Sequence, residues 1–256
     1  MKAVLSAGVL TIAGAMLATN AHATIVEFQT SQGSFQVNLF DQQTPKTVEN
    51  FLGYVGRGDY RSTIVHRSVA KFVVQGGAFT FDESIDVIDI QNAVVNEPVY
   101  SNVTGTIAMA KQAGNVNSAT SQWFFNTRDN SANLDLQNGG FTVFGQVIGD
   151  GMDVVNKINA LATCSGLPAL NYLDSVPTVN YSADECSQGS DITSANLVTI
   201  NDVIIIDEDP NSAVTLSPVE NTLIDDVNSS DSSSGSAWWL APFALLVALR
   251  RKVALK

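Results

Sequence analysis

The sequence predicts a mainly β domain, an antiparallel barrel closed on itself and capped by helices. Three observations carry that expectation: alternation of a hairpin type at its start, short β-rich runs through its middle, and an amphipathic helix near each end. The hairpin is "TIVEFQTSQGSFQVNLF". Ile25, Glu27 and Gln29 alternate with Val26 and Phe28, Gly33 turns the chain, and Phe35, Val37 and Leu39 alternate with polar neighbours. The first helix follows in "TPKTVENFLGYVGRG". Thr44 is placed to cap it, Pro45 suits the first helical position, and Val48, Phe51, Leu52 and Val55 share a face before Gly56 and Gly58 stop it. Strand-like runs then cover 63–69, 72–75, 105–110, 121–126 and 142–148. "GMDVVNKINAL" predicts the second helix, with Met152, Val155 and Ile158 on one side, and "LVTINDVIIID" a closing strand. No repeat or second domain is visible, and 24–206 is long enough for one well-packed core.

The two ends of the 256-residue chain have different compositions from this domain. "MKAVLSAGVLTIAGAMLATNAHA" joins one basic residue to an apolar run and an Ala21-His22-Ala23 cleavage site. It reads as a secretory signal over 1–23, too short for a membrane span. The mature chain is therefore expected outside the cytoplasm, in the periplasm or at the cell-envelope surface. From Asp207 the composition turns acidic and serine-rich, as in a disordered linker over 207–236. Residues 237–256 carry a short apolar run, "AWWLAPFALLVAL", and the basic cluster Arg250-Arg251-Lys252. That order resembles a bacterial C-terminal sorting signal, with Gly235-Ser236 where a Gly-Gly pair is expected. The alternative is a permanent tail anchor.

The formal net charge is −12, and removing Lys2 with the leader makes it −13. A surface this acidic argues against nucleic acid and anionic lipid as partners. Membrane contact is expected only through the tail, and the domain is expected to be a monomer. The two cysteines, Cys164 and Cys186, are expected to form a disulfide in an oxidising compartment. With His22 in the leader, His66 is the only histidine left, so neither a Ser-His-Asp triad nor a metal site can be assembled, and no cofactor is expected.

Against that background the stretch "HRSVAKFVVQGG" stands out, because it sets a strong cation, Arg67, inside a run of β-formers. Two further segments accompany it. "GTIAMAKQAGNVNSATSQWFFNT" carries Met109-Ala110 and Ser121-Gln122-Trp123-Phe124-Phe125, and "FTVFGQVIGDGMDVV" carries Phe144-Gly145. In that order they closely resemble the cyclophilin family of peptidyl-prolyl cis-trans isomerases, whose motifs run F-H-R-x-x-x-x-F-x-x-Q-G-G, M-A, S-Q-F-F and V-F-G. The resemblance covers about 24–206, and "GTIAMA" and "SATSQWFF" look particularly like the bacterial periplasmic branch.

The resemblance implies an eight-stranded barrel capped by two helices, with an active groove on the outer face of one sheet. It implies Arg67 as the catalytic arginine, Phe72 and Phe124 as walls of a proline pocket, and Gln75 and Gln122 flanking the bound peptide. Val73 stands where many members have methionine, Leu134 lines the pocket floor, and Phe141 occupies a position often held by histidine. Ala110, Lys111 and Gln112 are the implied strand edge that pairs with substrate backbone. The implied partners are proline-containing unfolded or partly folded polypeptides. A departure from the pattern is Asn133, which precedes Leu134 where cyclosporin-sensitive members have tryptophan. Trp123, inside its strand, is expected to face the other way from Phe124. A cyclophilin-shaped module that binds proline segments without turnover is the alternative reading. His66 is read as packing beside Arg67, not as an acid or base.

Overall fold

The computed structural model describes residues 24–208, 213 and 216–224. The expected leader at 1–23 and the apolar tail at 237–256 lie outside the described residues.

Strands β1 (Ile25–Thr30) and β2 (Gly33–Leu39) form the expected hairpin, and its alternation buries Val26, Phe28, Phe35 and Val37. Helix α1 (Pro45–Arg57) ends where Gly58 adopts a left-handed φ of 73°. Thr44 occupies the N-cap position but does not cap. Its hydroxyl donates back to the Phe40 carbonyl at 3.1 Å, while the Thr47 amide donates to the Glu97 carboxylate at 2.9 Å. An anion brought from a distant segment thus satisfies the helix end, which no local pattern could show.

The run predicted over 63–69 is divided into β3 (Thr63–Ile64) and β4 (Arg67–Val69). Next come β5 (Val73–Gly76) and a hairpin not anticipated from the sequence, β6 (Phe79–Asp82) with β7 (Ser84–Val87). Strands β8 (Thr106–Met109) and β9 (Trp123–Asn126) fall within their predicted runs. A one-turn helix, α2 (Ser131–Leu134), precedes β10 (Val143–Ile148), and α3 (Gly151–Asn159) is the second predicted helix. The cysteine-bounded insertion contributes β11 (Thr163–Cys164), β12 (Val176–Pro177) and α4 (Ala183–Gln188), and β13 (Thr199–Asp207) follows.

Eleven strands make one curled antiparallel sheet in the order β4-β5-β9-β8-β10-β2-β1-β13-β3-β6-β7. The excess over the expected eight comes from the division of 63–69 and from the added β6–β7 hairpin. Val26, Phe28, Phe35, Phe51, Trp123, Phe125 and Phe144 fill the main core on the concave side, under α1 and α3. A second cluster lies beneath the insertion, where Leu167, Leu170, Leu173 and Val176 pack with Ile64 and Phe79.

Composition predicts a loose linker from Asp207. The structure departs from this at 216–224: residues 219–221 run beside 99–101, where Tyr100 and Glu220 form an antiparallel bridge, and Leu216 packs onto the domain. Overall acidity hid the apolar residues and the asparagine that make this contact.

Cys164 and Cys186 form a disulfide with a Cα–Cα distance of 5.8 Å across a sequence separation of 22. Closing a loop of that length stabilises the fold by about 3 kcal/mol in the chain-entropy account. Replacing both cysteines by serine should therefore lower the thermal midpoint by roughly 6–12 °C for a domain of this size. An unchanged midpoint in calorimetry would show that the loop is held by its apolar cluster alone.

Candidate active site

Register on the curled sheet builds the site. Arg67 lies opposite Gln75, Gln75 opposite Phe124, Phe124 opposite Ala108, and Ala108 opposite Val143. Directly paired residues share a face, so this row of five projects to one side of β4, β5, β9, β8 and β10. The adjacent row, Ser68, Val74, Phe125 and Ile107, projects to the other side, where Val74, Phe125 and Ile107 join the main core.

On the outer face Val73, Ala108, Phe124, Leu134, Phe141 and Val143 form an apolar cluster with Phe40, and the partly exposed Phe72 and Ala110 pack against it. Phe141 meets Phe124 edge to face at 5.7 Å between centroids. The polar side of the row is connected: Arg67 Nη1 donates to Gln75 Oε1 at 3.5 Å, and Gln75 Nε2 donates to Gln122 Oε1 at 3.0 Å. Burial pushes the pKa of the half-buried Arg67 guanidinium down, with the Asp174 carboxylate opposing. It remains a cation at any physiological pH. Asp174 belongs to the cysteine-bounded insertion, which is fastened next door by a bond from the Ser68 amide to the Ser175 carbonyl at 2.7 Å. No local pattern in the chain signals that neighbour.

The expected faces of Trp123 and Phe124 are both found: Trp123 is 1% exposed in the main core, and Phe124 is in the outer cluster. The indole also accounts for Gly76-Gly77. A Cβ on Gly76 would stand 2.6 Å from the Trp123 ring, and one on Gly77, whose φ is 84°, would stand 2.7 Å from its Nε1.

One expectation needs correction. Ala110, Lys111 and Gln112 lie beyond the end of β8 and are not a strand. The Ala110 amide donates to the Gln122 carbonyl and the Gln112 amide to Ser118 Oγ. Lys111 is 7% exposed, and its ammonium donates to the carbonyls of Asn138 and Gly140 at 2.9 and 2.6 Å. The burial that lowers its pKa to about 8 also commits it to holding the 138–140 loop.

The family model for cyclophilin type peptidyl-prolyl cis-trans isomerase/CLD matches residues 25–182. The chain belongs to the cyclophilin family. It is similar to a peptidyl-prolyl cis-trans isomerase of Acinetobacter baylyi, 37% identical over 158 residues that cover 60% of this chain and 82% of the relative. It is also similar to peptidyl-prolyl cis-trans isomerase B of Escherichia coli, 39% identical over 145 residues covering 54% and 86%. A crystal structure of a Cryptosporidium parvum cyclophilin type isomerase superposes with a TM-score of 0.50, covering 73% of this chain and 99% of that one. At 21% identity that likeness concerns the fold alone. The chain is accordingly a peptidyl-prolyl cis-trans isomerase of the cyclophilin type.

Behind the outer cluster this cyclophilin carries a buried polar network that sequence reasoning missed. Asp135 accepts from Ser101 Oγ and from both the backbone and side chain of Asn102. Asn102 accepts from Asn126, which accepts from Asn130, and Asn130 donates to the Phe72 carbonyl at 2.9 Å. Asparagines scattered between 102 and 130 signal turns in a sequence; only the fold gathers them.

His66 is 1% exposed and packs edge-on against Phe79 at 5.0 Å. Neither ring nitrogen finds a hydrogen-bond partner within the structure. Burial and the nearby Arg67 lower its pKa to about 3, and the proximity of Gln122 opposes this only weakly. Since the folded pKa lies below the unfolded value of about 6.5, the neutral ring's contribution is intact above pH 6.5 and is lost as pH falls toward 3. The whole difference is on the order of 5 kcal/mol. Between pH 7 and 4.5, denaturant unfolding of His66→Phe should lose about 2.5 kcal/mol less stability than the parent. Equal losses would show that His66 is not the acid-sensitive group.

Proposed function

We propose that this enzyme accelerates rotation about X–Pro bonds in unfolded or partly folded polypeptides outside the cytoplasm, with Arg67 as its catalytic group. The observation that carries the assignment is the continuous row from the Arg67 cation through Gln75 to Phe124, flush with the outer apolar cluster. Amide resonance sets a barrier of roughly 18–20 kcal/mol to the rotation. At the twisted transition state conjugation is lost, and the prolyl nitrogen gains a lone pair able to accept a hydrogen bond. A guanidinium held by Gln75 is a rigid, permanently charged donor for that lone pair. Donation to the twisted state and not to the planar one is what lowers the barrier.

In this reading Phe72, Val73, Phe124, Leu134 and Phe141 hold the proline ring, while Gln75 and Gln122 face the peptide on either side. The 110–112 segment meets the substrate backbone through groups other than the two amides and the ammonium already engaged within the protein. Residues 63–69 are taken as the seam of the closed eight-stranded barrel, since their start pairs with β13 and their end with β5. The leader-like 1–23 supports delivery to the periplasm or envelope surface, where the Cys164–Cys186 disulfide would persist. The 237–256 tail supports sorting or anchoring there. The acidic domain is taken to act as a monomer on polypeptide, not on nucleic acid.

A protease-coupled proline-peptide assay tests the assignment. Arg67→Ala should lower kcat/KM by about a hundredfold or more, the loss expected for a group donating mainly in the transition state. If parent and variant are equally slow, the chain is a proline-segment binder and the enzymatic reading fails.

Cyclosporin offers a second test. Asn133 is exposed beside Leu134, and Trp123 is enclosed in the core, so among the described residues no indole borders the cluster at that position. Inhibition should be roughly a hundredfold weaker than in members with tryptophan there. Asn133→Trp should strengthen it, and nanomolar inhibition of the parent would refute the placement of Asn133.

A further inference from the structure

Residues 216–224 were expected to belong to the linker, yet they pair with 99–101 and pack onto the domain. The Ser101 amide donates to the Val219 carbonyl at 2.8 Å, and the Asn221 amide donates to the Val99 carbonyl at 2.9 Å. Between these two bonds Tyr100 and Glu220 pair as an antiparallel bridge, so the segment adds a miniature strand to 99–101. Leu216 reaches the same apolar cluster as Phe72, Phe124 and Leu134.

Its most specific contact is polar. Asn221 is 8% exposed, and its side-chain amide donates to the Asp135 carbonyl at 3.1 Å. Its side-chain oxygen in turn accepts from the Leu223 amide at 3.1 Å. Asp135 directly follows Leu134, and its carboxylate anchors the Ser101–Asn102 network. A few residues on, Gly140 has a φ of 71°. A Cβ there would stand 2.7 Å from both the Asp135 carbonyl oxygen and Ile224 Cδ1, so glycine lets the segment close over this turn. The 134–141 turn therefore has two sides. Leu134 and Phe141 face the outer cluster, bonded to each other through the Phe141 amide and the Leu134 carbonyl at 2.9 Å. Asn221 and Ile224 cover its back.

We propose that residues 216–224 are a strap that completes the isomerase domain, and that Asn221 is a positioning residue for the floor of the proline pocket. The assignment of that pocket rests on the proposed function; the strap's hold on the turn does not. A short linker residue facing solvent would gain nothing from an amide so nearly enclosed. A donor aimed at the backbone carbonyl next to Leu134 fixes where that leucine sits. The folded unit thus includes 216–224, and any processing of the tail must occur beyond Ile224 to leave the pocket intact.

Asn221→Ala and Asn221→Asp in the full chain test this by two independent readouts. In hydrogen exchange, the Leu134, Asp135 and Phe141 amides should exchange about tenfold faster in both variants, the equivalent of one lost buried hydrogen bond. The Val26 and Val37 amides of the main core should be unchanged. In the proline-peptide assay KM should rise about five- to tenfold with kcat little altered, because the ring is held less firmly while Arg67 is untouched. Asn221→Gln should restore part of the exchange protection. Parent-like exchange at all three turn amides, or acceleration spread evenly over the core, would overturn the strap's positioning role. If the turn amides respond while neither parent nor Arg67→Ala shows turnover, the strap stands and the enzymatic reading falls.

Discussion

The pairing register of β4, β5, β9, β8 and β10 is the constraint from which the rest of the structure follows. A slip of one residue in any of these pairs would exchange faces, sending Phe124 inward and Phe125 outward. What prevents it is the size and shape of the inner row. Phe125 packs edge-on against Phe28 and Phe35, with centroid separations of 5.4 and 5.2 Å, and Trp123 meets Phe28 at 5.1 Å. Exposing such rings would cost several kcal/mol each. The hydrophobic core thus specifies the opposite face as well, and the outward row of Arg67, Gln75 and Phe124 is placed by side chains packed on the other side of the sheet.

That arrangement separates stability from chemistry. Groups on the inner face answer to packing, and the Gly76-Gly77 pair exists because an indole lies against its backbone. Groups on the outer face are supported from behind by polar contacts. A network through Asp135, Asn102, Asn126 and Asn130 reaches the carbonyl of Phe72, and the ammonium of Lys111 gathers the carbonyls of the 138–140 loop. Because a buried polar group without a partner costs more than a satisfied one contributes, such a network leaves few alternative arrangements for the loops it joins. A pocket that must hold a proline ring still while the chain around it turns requires that rigidity.

Two segments from outside the compact part of the fold add to this support. The disulfide-closed insertion brings Asp174 into the field of Arg67 and bonds to Ser68, while the strap at 216–224 closes on the back of the turn that bears Leu134. The family match ends at residue 182, so part of the insertion, the last strand and the strap lie beyond it.

Legible in the chain alone were the β-rich class, the first hairpin, both principal helices, the two faces of β9 and, through the family motifs, Arg67, Gln75 and Phe124 of the outer row. Ala108 and Val143 join that row only through the register. Each of the legible features is written in a period of two or 3.6 residues, or in motifs whose spacing survives without coordinates. The β6–β7 hairpin was legible too, in the alternation of Phe79, Phe81, Ile85 and Val87 around a short polar turn, but its acidic residues disguised it as loop. Folding alone reveals that Glu97 caps α1, that Ala110 and Gln112 turn their amides inward, that Asp174 stands near Arg67, and that Asn221 reaches Asp135. These contacts join residues from about 12 to more than 100 positions apart, apart from the Gln112–Ser118 bond, which a loop rather than a repeating element creates. Local propensity reports what a segment prefers. It cannot report which distant polar group will satisfy its unpaired amides and carbonyls, because that choice is made by the packing of the core that brings them together.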